Sequence, residues 1–163
     1  MTTIGDVVAS VETWNPARST SVTPFPYIDL SAIDQERKRI SGVRSTLPAE
    51  APSRARQLVR KGDVLVSTVR PNLNAVAYVT SEFDGATVST GFTVLRPTKA
   101  TDGRYLFHWV RTPTFIGSMV REATGASYPA VSDRTVKTSL IPLPPLEEQR
   151  LSLIHISEPT RPY

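Results

Sequence analysis

The chain has 163 residues, enough for one domain, and its 39% hydrophobic and 21% charged content favours a folded core over disorder. It contains no cysteine, which excludes disulfide frameworks, thiolate zinc sites and cysteine nucleophiles. The N-terminal segment MTTIGDVVASVETW lacks the basic and apolar regions of a secretory signal, and no stretch reaches the roughly 20 apolar residues of a membrane span. We therefore expect a cytoplasmic protein without a membrane partner.

The positive charge is concentrated in one block of the chain. The net charge is +4, yet residues 1–34 carry one arginine and four acids, whereas residues 35–70 carry nine basic and three acidic residues. Residues 71–150 are nearly balanced, with eight basic and seven acidic residues. Such a block is typical of a surface that binds a polyanion, although a solvated face explains it equally well.

Short apolar runs bounded by glycine and proline predict β-strands. The runs of strand length are residues 27–30, 63–69, 75–80 and 92–95. The second run contains VLVSTV, whose β-branched residues favour a strand, and Pro71 ends it because proline offers no donor to a ladder.

A short helix is predicted after Ser53, which can serve as its N-cap. Ala55, Leu58 and Val59 would share the apolar face of this helix. Its other side would carry basic residues, namely Arg56, Arg60 and Lys61, with Arg54 at the margin.

Two further helices are predicted later in the chain. Asp102 can cap a helix through residues 105–110, and Thr112 with Pro113 suits the N-cap and first position of a second helix that stops near Gly125. Strands followed by a helix pair favour the α+β class. We expect a single domain with a twisted mixed or antiparallel sheet and flanking helices.

The last thirteen residues, LSLIHISEPTRPY, do not continue this pattern. A helix begins at LEEQR, and Pro159 and Pro162 prevent it from continuing through the tail. The tail resembles the translation of a transposase-type sequencing adapter. Residues 151–163 are therefore expected to be foreign, with native sequence ending near Arg150.

A catalytic centre is difficult to assemble from these residues. The sequence contains no GxGxxG, no phosphate-binding loop and no HExxH, and it lacks the methyltransferase signatures. His155 lies in the tail, and His108 is interpreted as a structural residue on a helix. Asp29 or Asp34 with Glu36 and Lys38 could serve a metal-dependent nuclease, but their close spacing fits a solvated turn better.

Nucleic-acid binding is better supported by the side chains available. The basic residues of the first predicted helix can contact phosphates, which supplies affinity without sequence information: Arg54, Arg56, Arg60 and Lys61. Polar side chains near a proline-stiffened strand end and in a later turn can contact bases: Ser67, Arg70, Asn72, Asn74, Ser127 and Tyr128. The alternatives are an ordinary Asx turn for the asparagines and a place at the edge of the core for Tyr128.

The ordered segments GDVLVSTVRPNL, STGFTVLRP, GASYPAVS and IPLPPLEEQR resemble the target recognition domain of type I restriction–modification specificity subunits. The resemblance covers about residues 1–150, and IPLPPLEEQR is its most specific part. It implies a DNA target recognition domain over residues 1–145. Residues 146–150 would be the start of a conserved spacer helix that is truncated here.

This resemblance implies a non-catalytic chain that reads one half of a split site in double-stranded DNA. It also implies protein partners, namely modification subunits that methylate adenine and a restriction subunit. S-adenosylmethionine, ATP and Mg²⁺ would belong to those partners, and this chain would hold no cofactor. The alternatives are a free-standing domain that binds nucleic acid, RNA included, and the metal-dependent nuclease.

Overall fold

The computed structural model describes residues 1–125 and 127–157 and confirms the α+β class. The strands are β1 (Thr2–Thr3), β2 (Val8–Ala9), β3 (Phe25–Ile28), β4 (Ile33–Asp34), β5 (Arg39–Ile40), β6 (Arg44–Thr46), β7 (Ala55–Leu58), β8 (Val64–Ser67), β9 (Val76–Tyr78), β10 (Thr87–Ser89), β11 (Phe92–Pro97) and β12 (Leu140–Ile141). The helices are α1 (Gly103–Trp109), α2 (Pro113–Glu122), α3 (Asp133–Thr138) and α4 (Leu146–Ser157). In the described residues, no helix has the length and apolar character of a membrane span.

Eight of the strands form two four-stranded sheets, and the other four form two-stranded sheets, β1 with β12 and β4 with β5. One sheet has the order β6-β3-β10-β7 and is mixed, because β10 runs parallel to β3. The other has the order β2-β11-β8-β9 and is antiparallel. The expected sheet is thus divided into two main sheets and two small ones, and the turn at residues 90–91 takes the chain from β10 in the mixed sheet to β11 in the antiparallel one.

Strand β8 is buried on both faces. Val64 and Val66 pack in the same apolar cluster as Leu106 of α1, whereas Leu65 packs with Val88 of β10 in the opposite sheet. Since alternate residues of a strand point to opposite faces, a strand covered on both sides is apolar throughout. This position explains the unbroken run VLV and confirms the predicted strand.

Asp63 fastens the start of β8 to β11. Its carboxylate accepts the Arg60 backbone N–H at 2.8 Å and pairs with the Arg96 guanidinium at 2.9 Å. The Asp63 side chain is 2% exposed and that of Arg96 is 15% exposed, so this ion pair is shielded from water. The hydrogen bond to Asp63 raises the pKa of Arg96 above its ordinary value.

The predicted caps of α1 and α2 are confirmed. The side chains of Asp102 and Thr112 accept backbone N–H groups in the first turns of the two helices, and Pro113 opens α2. Helix α2 ends at Glu122, and Gly125 lies in the turn beyond it with a φ of 97°. Helix α3 has six residues, too few to show a helical period in the sequence.

The helix predicted after Ser53 is wrong. Residues 55–58 instead form β7, which pairs antiparallel with β10 in a register that places Leu58 opposite Thr87. The apolar spacing at residues 55, 58 and 59 is helical, but in so short a segment pairing with β10 outweighs it. The basic residues of this segment therefore share no helical face.

Helix α4 begins at the position expected for the spacer helix, and its Gln149 is fully buried. The Gln149 side-chain amide donates to the carbonyl oxygens of Ala100 at 3.0 Å and Pro144 at 2.8 Å. Its Oε1 atom accepts the Asp102 backbone N–H at 2.8 Å. The bonds to Ala100 and Asp102 anchor α4 to the loop that precedes α1, and the bond to Pro144 closes the turn that leads into α4.

Helix α4 continues beyond Arg150 to Ser157 and thus enters the predicted foreign tail. The foreign origin of residues 151–163 stays a prediction. Pro159 and Pro162 lie outside the described residues.

Replacing Asp63 by alanine is expected to lower the free energy of unfolding by about 3 kcal/mol, because Arg96 would lose its shielded partner and keep only the exposed Glu12, 3.5 Å away. Asp63→Asn, which retains an acceptor oxygen, should cost less. Urea denaturation followed by circular dichroism measures both. The control is Glu82→Ala at an exposed position, expected to change stability by less than about 0.5 kcal/mol. Equal effects of Asp63→Ala and Glu82→Ala would contradict the anchoring role.

Replacing Gln149 by glutamate is expected to lower the free energy of unfolding by about 2 kcal/mol at neutral pH, and by much less near pH 4. A carboxylate cannot donate to the two carbonyl oxygens, so folding would raise the pKa of the new acid. Stability from a raised pKa is present below the unfolded value, about 4.3 for glutamate, and is lost as the pH rises through the folded value. Urea denaturation at both pH values measures the difference from wild type.

The matched control for this variant is Glu148→Gln, which changes the same pair of residue types at an exposed neighbouring position. It should show no comparable dependence on pH. A Gln149→Glu cost that is equal at the two pH values would contradict the donor role of the Gln149 amide.

Candidate nucleic-acid interface

The turn at residues 70–74 connects β8 to β9 and has an unusual backbone. Pro71–Leu73 forms one turn of 3-10 helix, and Arg70 and Asn74 on either side are left-handed, with φ values of 47° and 50°. Lys38 has a φ of 53°, and its Nζ donates to the Asn74 carbonyl oxygen at 2.7 Å. In the described residues, the non-glycine residues with positive φ are these three. Backbone strain of this kind clusters at functional sites.

The Arg70 side chain is held against an aromatic ring at the surface. Its guanidinium carbon lies 4.2 Å from the ring centroid of Tyr128, which is 67% exposed, and its backbone N–H donates to the Pro129 carbonyl oxygen at 2.7 Å. Stacking restricts the guanidinium while its in-plane N–H donors stay available. Asn72 and Ser127 are also exposed, on the same two turns.

Ser67 and Asn74, which we expected to contact bases, are buried. The Ser67 hydroxyl donates to the Val69 carbonyl oxygen at 2.9 Å and accepts the Val69 N–H at 3.2 Å. The Asn74 side-chain amide donates to the Val110 carbonyl oxygen at 2.9 Å. Short polar side chains often bond to nearby backbone in this way. Their placement corrects the expectation that both face a groove, because they instead shape the 70–74 turn.

Arg54, a predicted phosphate contact, is exposed at the same end of the sheets as the 70–74 turn. Its carbonyl oxygen accepts the Thr90 N–H at 2.9 Å. The Gly91 carbonyl oxygen accepts both the N–H and the hydroxyl of Thr68, two residues before Arg70, at 3.0 Å. The turn at residues 90–91 thus joins Arg54 to Thr68, two residues before the 70–74 turn. We call the half-buried Arg70 and four exposed residues at this end the reading edge: Arg54, Arg70, Asn72, Ser127 and Tyr128.

Two of the other predicted phosphate contacts, Arg60 and Lys61, do not lie on the reading edge. Arg60 and Lys61 precede β8 and so lie at its opposite end, about 13 Å away for four residues at about 3.3 Å each. Arg60 pairs with Glu12. Arg56 lies in β7, where its Nε donates to the Ser53 carbonyl oxygen at 2.9 Å. Arg60 and Lys61 therefore lie away from Arg54, whereas Arg56 stays beside Ser53, the neighbour of Arg54.

The acids considered for a nuclease serve as turn caps. The Asp34 carboxylate accepts the backbone N–H groups of Glu36 and Arg37, each at 3.1 Å, and the bond from Arg37 lowers the pKa of Asp34. Asp29 accepts the N–H of Ser31 at 3.0 Å. Across residues 1–125 and 127–157, no cluster of three histidine or acidic side chains is placed to hold a metal ion.

Comparison with known protein families shows to which family the chain belongs. The family model of the type I restriction modification DNA specificity domain matches residues 4–157. The chain belongs to this family. The resemblance inferred from GDVLVSTVRP and IPLPPLEEQR is thereby confirmed.

This specificity domain also resembles individual proteins. It is 25% identical, over 104 residues, to the type I restriction enzyme HindI specificity subunit of Haemophilus influenzae, a match that covers 62% of this chain and 23% of that protein. It is 40% identical to the HsdS subunit from Thermoanaerobacter tengcongensis, with a TM-score of 0.85 over 94% of this chain. A second solved chain, from work on complex assembly and conformational transition of the type I R-M system, has a TM-score of 0.87 and 40% identity over 94% of this chain.

The specificity domain spans only part of these relatives. It covers 23% of the Haemophilus influenzae protein and 40% of each of the two solved chains.

Two basic residues near the 70–74 turn, Lys38 and Arg111, are not among the phosphate contacts predicted from the sequence. Lys38 was considered only as the lysine of a nuclease, although the basic run at residues 37–39 was visible. Arg111 lies two residues after the end of α1, and no local sequence pattern indicates that it is close to the 70–74 turn. It lies near the turn only because Val110 is bonded to Asn74.

Proposed function

We propose that this domain recognises DNA sequence for a type I restriction–modification system and reads one half of a split site through the reading edge. The observation that carries the proposal is the stacked Arg70, a base-reading side chain restrained by its backbone and by Tyr128. The similarity to a type I restriction enzyme specificity subunit supports this role.

The chemistry of the reading edge suits the major groove of duplex DNA. Arginine can donate two hydrogen bonds to guanine O6 and N7, and asparagine can bond adenine at N6 and N7, so Arg70 and Asn72 are the principal readers. Ser127 and Tyr128 offer single hydroxyl bonds. Arg54 would contact a phosphate and set the register without reading sequence. Restraint of Arg70 before binding reduces the conformational entropy lost in the complex.

The chemical steps of the system would belong to other subunits. Modification subunits would bind S-adenosylmethionine and methylate adenine, and a restriction subunit would use ATP and Mg²⁺. This domain would act in the cytoplasm by choosing the site and presenting the DNA. The three bonds of Gln149 support that role, because they fix the direction in which α4 leaves the domain.

Replacing Arg70 by alanine is expected to relax the base preference at one position of the bound site, by about 1–3 kcal/mol. Arg54→Ala should instead weaken binding to all sequences and flatten the plot of log affinity against log salt by about 0.9. The measurements are sequencing of duplexes selected from a random pool and titration of labelled duplex at several salt concentrations. Arg60→Ala is the control, because Arg60 lies away from the reading edge and pairs with Glu12.

Identical behaviour of Arg70→Ala and Arg54→Ala would contradict the division into base and phosphate contacts. Structured RNA is added as a competitor in the same titrations. If RNA binds as tightly as duplex DNA, the domain is not a DNA reader.

A further inference from the structure

Three basic side chains meet behind the 70–74 turn. The Arg111 guanidinium carbon lies 4.4 Å from the ring centroid of Phe107, and its Nη2 lies 3.5 Å from Nδ1 of His108. Lys38 approaches from the turn between β4 and β5, where its Nζ donates to the Asn74 carbonyl oxygen at 2.7 Å. We call Lys38, His108 and Arg111 the basic cluster.

Asn74 holds the two sides of the basic cluster together. Its carbonyl oxygen accepts the bond from Lys38, and its side-chain amide donates to the Val110 carbonyl oxygen at 2.9 Å, beside Arg111. Because Asn74 closes the 70–74 turn, the basic cluster keeps a fixed position relative to Arg70. Leu73, whose carbonyl oxygen lies 3.5 Å from Lys38 Nζ, lines the same cleft of about 220 Å³ as Arg70.

The basic cluster has no acidic partner among the side chains that the structure describes. The ion pairs among the described side chains all involve basic residues outside the cluster. Neither Lys38 nor Arg111 has an acidic oxygen within 4.0 Å. Burial, and then the charge of Arg111, lowers the pKa of both Lys38 and His108, and burial lowers the pKa of Arg111. The Arg111 Nε is buried without a hydrogen-bond partner. Crowded positive charges of this kind favour a bound anion.

We propose that the basic cluster binds one backbone phosphate of the DNA whose bases the 70–74 turn contacts. The inference rests on the proposed function and adds a phosphate site that the charge pattern did not reveal. Each of the three side chains is half-buried, so the cluster keeps a face open to solvent. A phosphodiester would accept hydrogen bonds from Lys38 and Arg111 and relieve their mutual repulsion. It would also set the register of the strand beside Arg70.

Lys38→Gln tests the site, because glutamine can still donate to the turn carbonyls but carries no charge. Affinity for a random-sequence duplex is expected to fall about tenfold at moderate salt, and the salt slope to become shallower by about 0.9. The base preference selected from a random pool should not change. Lys38→Arg, which keeps the charge, should restore the affinity to within about twofold. Melting curves of each variant establish that the fold is intact.

Lys99→Gln is the matched control. Lys99 is exposed just beyond the C-terminal end of β11, which pairs with the start of β8 and so lies far from the 70–74 turn. Its replacement by glutamine changes the net charge by the same amount as Lys38→Gln. It should leave the affinity and the salt slope within error of wild type. Arg111→Gln should behave like Lys38→Gln, and Arg111→Lys should largely retain binding.

A wild-type salt slope in Lys38→Gln overturns the inference, and so does an equal loss in Lys99→Gln. Titration with inorganic phosphate separates a second source of the anion. A shift of the His108 ring resonances with phosphate, without any dependence of duplex affinity on Lys38, would rule out the DNA assignment. Failure of the proposed function is seen separately, as a wild-type chain that enriches no sequence from the pool.

Discussion

The double-sided burial of β8 is the constraint on which the candidate interface depends. Val64 and Val66 are covered from the helical side and Leu65 from the opposite sheet, so β8 cannot slide or tilt without opening both apolar clusters. The turn at residues 70–74 follows β8 and is therefore attached to a rigid strand. A short, strained turn at residues 70–74 can therefore hold its side chains in place, which a mobile loop could not do.

The two ends of β8 differ in how their charges are balanced. At its start, Asp63 and Glu12 neutralise Arg96 and Arg60, and this end contributes stability. At its far end, Arg70 stacks on Tyr128, and the basic cluster has no acidic neighbour within the described side chains. The domain thus separates the charges that hold it together from those left available for a polyanion.

Much of this fold was predictable from local patterns, whereas the site was only partly so. The run VLVSTV and the caps Asp102 and Thr112 carry strong local preferences, and the structure confirms the elements that they predict. The segment after Ser53 has a helical spacing of apolar residues, yet it is a strand because pairing with β10, a contact between distant parts of the chain, outweighs that local preference. Burial of Asn74 and the approach of Arg111 depend on contacts between distant parts of the chain, which no local pattern encodes.

The anchoring of α4 through one amide has a mechanical consequence. Eight residues separate Gln149 from Ser157, which is about 12 Å of helix, so a tilt of about 10° at Gln149 would move the far end of α4 by about 2 Å. The Gln149 hydrogen bonds are therefore the pivot of α4. Any loosening at this one side chain would be multiplied along the helix and would displace whatever its far end contacts.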